Sequence, residues 1–93
     1  MRKAVALRYD VNKNKAPEVI ASGQGLLAEE ILKIANDSQV PFYKHRELVE
    51  SLVRLPLGSE IPPQFYELVA QILAFVLRLD EEHGGNKSSD GNG

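Results

Sequence analysis

The sequence has no cysteine among its 93 residues, which excludes both a disulfide framework and a thiolate metal site. It also has no long hydrophobic run. The longest run, Leu68 to Leu77, is interrupted by Gln71, whereas a bilayer span needs about 20 apolar residues. Nothing at the amino terminus has the pattern of a signal peptide. We therefore expect that the chain neither spans a membrane nor starts with a secretory signal.

An excess of charge of one sign is also lacking, because the formal net charge is −2 and acidic and basic residues are mixed along the chain. Such a chain has no field strong enough to gather phosphates at a distance, so nucleic acid is not an expected partner. Basic residues are concentrated only near the start of the chain, at Arg2, Lys3, Arg8, Lys13 and Lys15. We interpret them as a solvated strand and turn rather than as a functional basic patch.

The length of the chain allows one compact domain with a single core and leaves no room for a second. We predict that this domain covers residues 1–83. Residues 84–93 are glycine, serine, asparagine, lysine and aspartate, which have no apolar side chain to bury. This segment is therefore predicted to be a disordered polar tail.

Two short β-forming segments predict an antiparallel hairpin at the start of the domain. Ala4 to Tyr9 is an apolar run, Asp10 to Pro17 is a polar connection, and Glu18 to Ser22 is a second short run. Gly23 and Gly25 are expected to end this second strand.

From Leu26 onwards the spacing of apolar residues becomes that of a helix. This helix should stop near Asn36 to Ser38, where short polar side chains compete for backbone hydrogen bonds. Val40 to Tyr43 follows as a predicted third strand, with Pro41 at its start or on an edge because proline donates no hydrogen bond to a ladder. The predicted core-facing residues of the helix are Leu27, Ile31, Ile34 and Ala35.

Two further helices are predicted in the second half of the chain. Arg46 to Leu55 is one, ended by Pro56 and Gly58, and about Pro63 to Leu79 is the other, with Pro63 well placed in its first turn. The predicted fold class is α/β (α+β), a small mixed three-stranded sheet packed with three helices in the order β-β-α-β-α-α. A strand, helix and strand in succession favour a right-handed crossover.

The residues that are able to support catalysis do not form a recognisable site. His45 and His83 have no nucleophile or orienting partner nearby in the sequence. The turn from Ser22 to Gly25 lacks the residues of a phosphate-binding loop. The doublets Glu29-Glu30 and Glu81-Glu82 do not pair on one face of a helix. We therefore predict no enzyme activity, no metal, no cofactor and no small-molecule substrate.

The third helix has more apolar residues than one buried face requires. Its core stripe is followed by a second stripe on the flank, which the sheet and the other helices either cover or leave exposed for a partner. A second copy of the chain is one such partner, which leaves a homodimer as an alternative. The core stripe is Phe65, Leu68, Val69, Ile72, Val76 and Leu79, and the second stripe is Tyr66, Ala70, Leu73 and Leu77.

Seven segments of the chain follow one another in an order that is typical of one family: Ala4 to Asp10, Ala16-Pro17, Val19 to Gly23, Leu26 to Ala35, Val40-Pro41, Gly58 to Pro62 and Tyr66 to Leu79. Together they resemble the cytoplasmic domain of the FlhB/YscU family of type III export-apparatus switch proteins. The family's Asn-Pro-Thr-His self-cleavage loop is missing, since Met1 to Lys3 occupy the positions just before the first strand, and its membrane-embedded part is missing too. The chain therefore resembles the released carboxyl-terminal fragment of such a protein.

The resemblance implies an apolar docking patch. The matching positions are Ala16, Pro17, Ala70 and Leu73, and the last two fall on the second stripe. It further implies a non-catalytic accessory of flagellar or type III export, at the cytoplasmic face of the export apparatus. The implied partners are export-gate proteins, export substrates or the ruler protein. The predicted protein-binding residues are Ala16, Pro17, Tyr66, Ala70, Leu73 and Leu77. The alternative function is a homodimeric structural domain no longer tied to export.

Overall fold

A computed structural model of the chain describes residues 1–76, which form a two-stranded sheet and three helices. The strands are β1 (Lys3–Arg8) and β2 (Glu18–Gln24), and the first two helices are α1 (Leu26–Asp37) and α2 (Arg46–Leu52). The third helix, α3, starts with the 3-10 turn Pro63–Phe65 and continues as an α-helix over residues 66–76. Within residues 1–76, no helix has the length and apolar character needed to cross a bilayer.

Several predictions concern residues beyond this range. The end of the third helix, the stripe residues Leu77 and Leu79, the acidic doublet at 81–82 and His83 all lie outside the described residues. The same holds for the predicted domain boundary at residue 83 and for the tail 84–93.

The hairpin is confirmed, with β1 and β2 antiparallel and Ala4 opposite Gly23. A bulge at Ile20 shifts the register, because Ala6 pairs with Ala21 whereas the next residue of β1 pairs with Val19. The prediction that Gly23 ends the second strand is wrong, since β2 runs through it. A Cβ atom at this position would clash with Cγ of Leu27, so the absence of a side chain lets α1 cross close to the sheet.

The first helix has the predicted length, but only Ile31 and Ala35 of its four predicted core residues lie on the buried side. Ala28 is fully buried, and Ile31, Leu32 and Ala35 are half-buried beside it. Of the predicted core residues, Leu27 is 55% exposed and Ile34 is 59% exposed. Because Ala28 presents only a methyl group, α1 packs closely on both strands along the side that carries the small residue.

The predicted third strand at Val40 to Tyr43 does not form, so the described sheet has two strands and no crossover between parallel strands. Helix α1 ends at Asp37, Gln39 follows with a positive φ of 60°, and the N–H of Val40 donates to the carbonyl of Ala35 over 2.8 Å. Pro41 has no N–H at all. Neither Val40 nor Pro41 therefore has a backbone N–H free to donate to a neighbouring strand. Residues 40–45 follow an irregular path.

The segment between α2 and α3 pairs with β2 instead. Val19 donates its N–H to the carbonyl of Ser59 over 2.8 Å and accepts a hydrogen bond from Gly58 over 2.7 Å. The N–H of Ile61 then donates to the carbonyl of Pro17 over 2.9 Å. Gly58 has a φ of 89°, which lets the chain turn back towards the hairpin. These bonds place the start of α3 beside the connection between the two strands.

The second helix is three residues shorter than predicted at its carboxyl end and has a histidine cap at its start. Nδ1 of His45 accepts a hydrogen bond from the N–H of Leu48 over 3.2 Å, and the histidine is half-buried. The interpretation of His45 as a plain surface residue therefore missed its capping role. One of the four N–H groups that a helix start leaves without partners is satisfied in this way.

Replacing His45 with alanine should lower the free energy of unfolding by about 1 kcal/mol, because the cap acceptor is lost. Asparagine also accepts at a helix start, so His45→Asn should keep most of the stability. Urea unfolding followed by far-ultraviolet circular dichroism measures both variants. Equal losses in the two variants would contradict a capping role.

The core lies between the hairpin, α2 and α3. Four residues of the predicted α3 core stripe are confirmed: Val69 is 2% exposed, and Phe65, Leu68 and Ile72 pack against the buried cluster. Val76 is half-buried and is not among the residues of that cluster. The buried cluster comprises Ala16, Leu48, Leu52, Ile61 and Val69. Ala16 therefore joins the hairpin connection to the core formed by the helices.

Candidate docking groove

An open groove of about 260 Å³ runs between the hairpin connection and the first turns of α3. Its floor is aliphatic, one wall is the connection after β1, and the other wall is a face of α3. The lining residues are Tyr9, Lys15, Ala16, Pro17, Ile61, Tyr66, Val69, Ala70 and Leu73.

The structure brings five of the six predicted site residues to this groove. Ala16 and Pro17 are buried in its first wall, whereas Tyr66 and Ala70 are exposed on α3 and Leu73 is half-buried between them and the core. The sixth, Leu77, lies outside the described residues. That a partner binds these residues stays a prediction.

Four lining residues were missed by the sequence analysis. Val69 was assigned to the core stripe alone, and Ile61 to a turn between helices. Tyr9 was treated as the end of a strand, and Lys15 as part of the solvated basic start. Lys15 could have been found from its position next to the predicted site residue Ala16, because a residue adjacent to a buried wall residue also lies near the groove.

The connection between the strands is held by hydrogen bonds within itself. The main-chain carbonyl of Asp10 accepts from the N–H groups of Lys13 and Asn14 over 3.0 and 2.7 Å, and its carboxylate accepts from the N–H of Asn12 over 2.9 Å. The side-chain oxygen of Asn14 accepts from the N–H of Asp10 over 3.1 Å. An aspartate that bonds backbone two residues ahead is typical of a stable turn. The turn thus fixes where the wall begins.

Two glutamates anchor the wall on the remainder of the fold. Oε1 of Glu18 accepts from Arg8 over 3.4 Å and from the side-chain amide of Asn14 over 3.3 Å. Oε2 of Glu60 accepts from the main-chain N–H of Lys15 over 3.1 Å, although the two residues are 45 positions apart. A carboxylate that accepts from a backbone N–H forms a charge-assisted hydrogen bond. Glu60 therefore holds the wall from the side of α3.

Replacing Glu60 with alanine should let the wall open more often at Lys15. We expect the amide hydrogen of Lys15 to exchange about fivefold faster, since an exposed hydrogen bond contributes about 1 kcal/mol. Glu60→Gln keeps an acceptor oxygen and should exchange nearly as slowly as the native chain. Amide exchange followed by nuclear magnetic resonance tests this, with Glu67→Ala on the exposed side of α3 as the control. Unchanged exchange in Glu60→Ala would show that Glu60 does not hold the wall.

The groove is suited to burying apolar side chains of a partner. None of its nine lining residues is a histidine, serine, aspartate or glutamate, and Lys15 is the only charged one. Fully burying one aliphatic side chain contributes about 1.5–3 kcal/mol. Over residues 1–76, no group of three or more histidine, aspartate or glutamate side chains is placed to hold a metal ion.

One backbone donor of the turn into α1 is already used within the hairpin. The N–H of Gly25 donates to the carbonyl of Arg2 over 2.7 Å and is therefore occupied by the hairpin. No side chain caps the start of α1. The segment Ser22 to Gly25 thus leads from the end of β2 into α1, and its interpretation as a plain turn stays a prediction.

Comparisons of the sequence with known proteins point to one family. The sequence model of the FlhB HrpN YscU SpaS Family matches residues 1–76. The uncharacterized protein YlqH of Bacillus subtilis (strain 168) is 48% identical over 81 residues, which cover 87% of this chain and 87% of that protein. The flagellar biosynthetic protein FlhB of Aquifex aeolicus (strain VF5) is 41% identical over 75 residues, which cover 80% of this chain and 21% of that protein.

The fold is likewise similar to solved structures. A mutated EscU/SpaS C-terminal domain has a TM-score of 0.77 and 28% sequence identity, with 82% of this chain and 95% of that chain covered. The chain therefore spans nearly the whole of that domain, but only 21% of the length of the Aquifex aeolicus FlhB protein.

Proposed function

We propose, from the premise that the chain belongs to the FlhB HrpN YscU SpaS family, that it is a non-catalytic accessory binding domain of flagellar or related type III protein export. In this proposal the chain stands in for, or resembles, the carboxyl-terminal fragment of the export switch protein. Membership of a family of export proteins supports the role in export. The similarity to the C-terminal domain of EscU/SpaS supports the comparison with that fragment.

The observation that carries the proposal is the groove between the hairpin connection and α3. It is apolar, it is open, and two of its lining residues, Tyr66 and Ala70, are exposed on one side of α3. Exposed apolar surface that continues into a groove is typical of a protein interaction site. The proposed ligands are apolar segments of export-gate proteins, of export substrates or of the ruler protein. The proposed place of action is the cytoplasmic face of the export apparatus.

The experiment is a complementation assay in bacteria whose switch protein has been shortened to lack its own carboxyl-terminal fragment. Deleting the gene for this chain should reduce export of flagellar or type III substrates in such cells, and restoring it should recover export. A chain carrying a charge in the groove should not restore it. Unchanged export after deletion would overturn the proposal.

A solution measurement separates this function from a homodimer. The mass of the purified chain at low concentration should be that of a monomer, because the proposal leaves the groove open for a partner. A persistent dimer in which Tyr66 becomes protected from solvent would instead indicate that the second stripe is buried against another copy.

A further inference from the structure

The groove has one charge on an otherwise uncharged lining. Lys15 is exposed in the first wall, next to buried Ala16. The ion pairs within residues 1–76 join Lys3 to Glu50 and Arg8 to Glu18, and neither includes the ammonium group of Lys15.

A carboxylate does lie close to this residue, but it bonds the backbone. Oε2 of Glu60 accepts from the main-chain N–H of Lys15 over 3.1 Å. Lys15 is one of the residues that line the groove, and the hydrogen bond to Glu60 holds its main chain in place. A cation at the edge of an apolar groove favours ligands that carry an anionic group at the matching position. The fixed main chain of Lys15 defines where that position is.

We infer that the groove prefers a segment of a partner protein in which an apolar anchor side chain lies next to a carboxylate. This inference rests on the proposed function, because it names the chemistry of the segment that the same groove binds. The anchor fills the aliphatic floor formed by Ile61, Val69 and Leu73. The carboxylate then lies within reach of the ammonium group of Lys15.

The expected strength of this preference follows from the exposure of Lys15. Ion pairs at exposed positions contribute up to about 1 kcal/mol, which corresponds to about a fivefold change in affinity. The anchor therefore supplies most of the affinity, and the charge supplies selectivity. Because exposed charges are screened by salt, the preference should decrease as ionic strength rises.

The test is a selection from a displayed library of random peptides, carried out in parallel on the native chain and on variants. The native chain should enrich peptides that carry an aliphatic or aromatic residue beside aspartate or glutamate. Lys15→Gln should bind the enriched peptides about fivefold more weakly, and Lys15→Glu should instead enrich a lysine or arginine beside the anchor.

The matched control is Lys33→Glu, which changes the net charge as Lys15→Glu does but on the exposed side of α1. It should enrich the same peptides as the native chain. Selection of apolar peptides without an acidic preference, or the same preference from Lys15→Glu as from the native chain, would overturn this inference and leave the proposed function standing. Failure of the native chain to select groove-binding peptides at all would count against the proposed function itself.

Discussion

Replacing Ala70 with aspartate should weaken the binding of export components at least about 30-fold while the chain stays folded. Ala70 is exposed on α3 and lines the groove, so the new carboxylate is solvated in the free protein and costs little stability. An apolar partner segment would strip water from that carboxylate without offering it a hydrogen bond. Burying an unpaired charge costs several kcal/mol. A loss of at least about 2 kcal/mol corresponds to about a 30-fold weaker complex.

The matched control for this variant is Ala74→Asp. Ala74 is exposed one turn further along α3 and is not among the residues that line the groove. The same charge on the same helix should therefore leave binding unchanged. Binding to purified export-gate proteins or substrates is measured by calorimetry, and folding by circular dichroism. Equal binding by Ala70→Asp and the native chain would place the docking site elsewhere.

A second substitution in the groove, Leu73→Asp, should also weaken binding, but it acts on the fold as well. Leu73 is half-buried and packs against the core cluster, so a charge there also destabilises the fold. A variant that unfolds loses binding for a trivial reason. Ala70→Asp therefore tests the groove, and Leu73→Asp adds support only where its circular dichroism spectrum remains that of the native chain.

The hairpin and the positions of the helices could be predicted from local patterns in the sequence. The run from Ala4 to Tyr9 and the change of period at Leu26 are local signals, and the structure has a strand and a helix at these places. The resemblance of these segments to an export-protein family is also confirmed by the match over residues 1–76. Such patterns are visible in the sequence because strands and helices each impose their own spacing on apolar residues.

The third strand was predicted wrongly because strand formation depends on hydrogen bonds that local composition does not reveal. Val40 has the side chain of a strand residue, but its N–H closes the end of α1. The pairing that forms instead joins Val19 to Ser59, two residues far apart in the sequence. Pairing at that separation depends on how α2 returns the chain to the hairpin, which periodicity alone does not show.

The buried face of α1 could also not be predicted from the periodicity of large apolar residues. Leu27 and Ile34 have the spacing of a core face, but the helix turns Ala28 towards the sheet. The small side chain of Ala28 and the missing side chain of Gly23 allow a close approach that larger residues would prevent. A scheme that assigns large apolar residues to the core therefore overlooks contacts made by small ones.

Only part of the groove could be predicted from the sequence, because only one of its two walls has a periodic pattern of apolar residues. One wall, on α3, was visible as a second stripe of apolar residues at helical spacing. The other wall was found through resemblance to a family, because a buried alanine and proline in a polar connection have no periodic signal. Glu60 was missed altogether as a support of the wall, since its bond to Lys15 spans two segments that meet only in the folded chain.

Replacing Leu52 with alanine should destabilise the domain by about 3 kcal/mol. Leu52 is 2% exposed and is one of the largest fully buried side chains of the core cluster. Truncating its isobutyl side chain to a methyl group costs the transfer free energy of the lost carbon atoms and leaves a cavity among its neighbours. Small domains are stable by only about 5–15 kcal/mol, so this is a large fraction of the total.

Leu57→Ala provides the matched control, because Leu57 lies only five positions further along but is 65% exposed. The same deletion there should change the free energy of unfolding by less than about 0.5 kcal/mol. Urea unfolding at equal protein concentrations measures both variants, and similar losses would show that Leu52 is not part of the main core. Ile61 and Val69 belong to the same buried cluster and also form the groove floor. Leu52→Ala should therefore weaken partner binding as well, whereas Ala70→Asp should weaken binding alone.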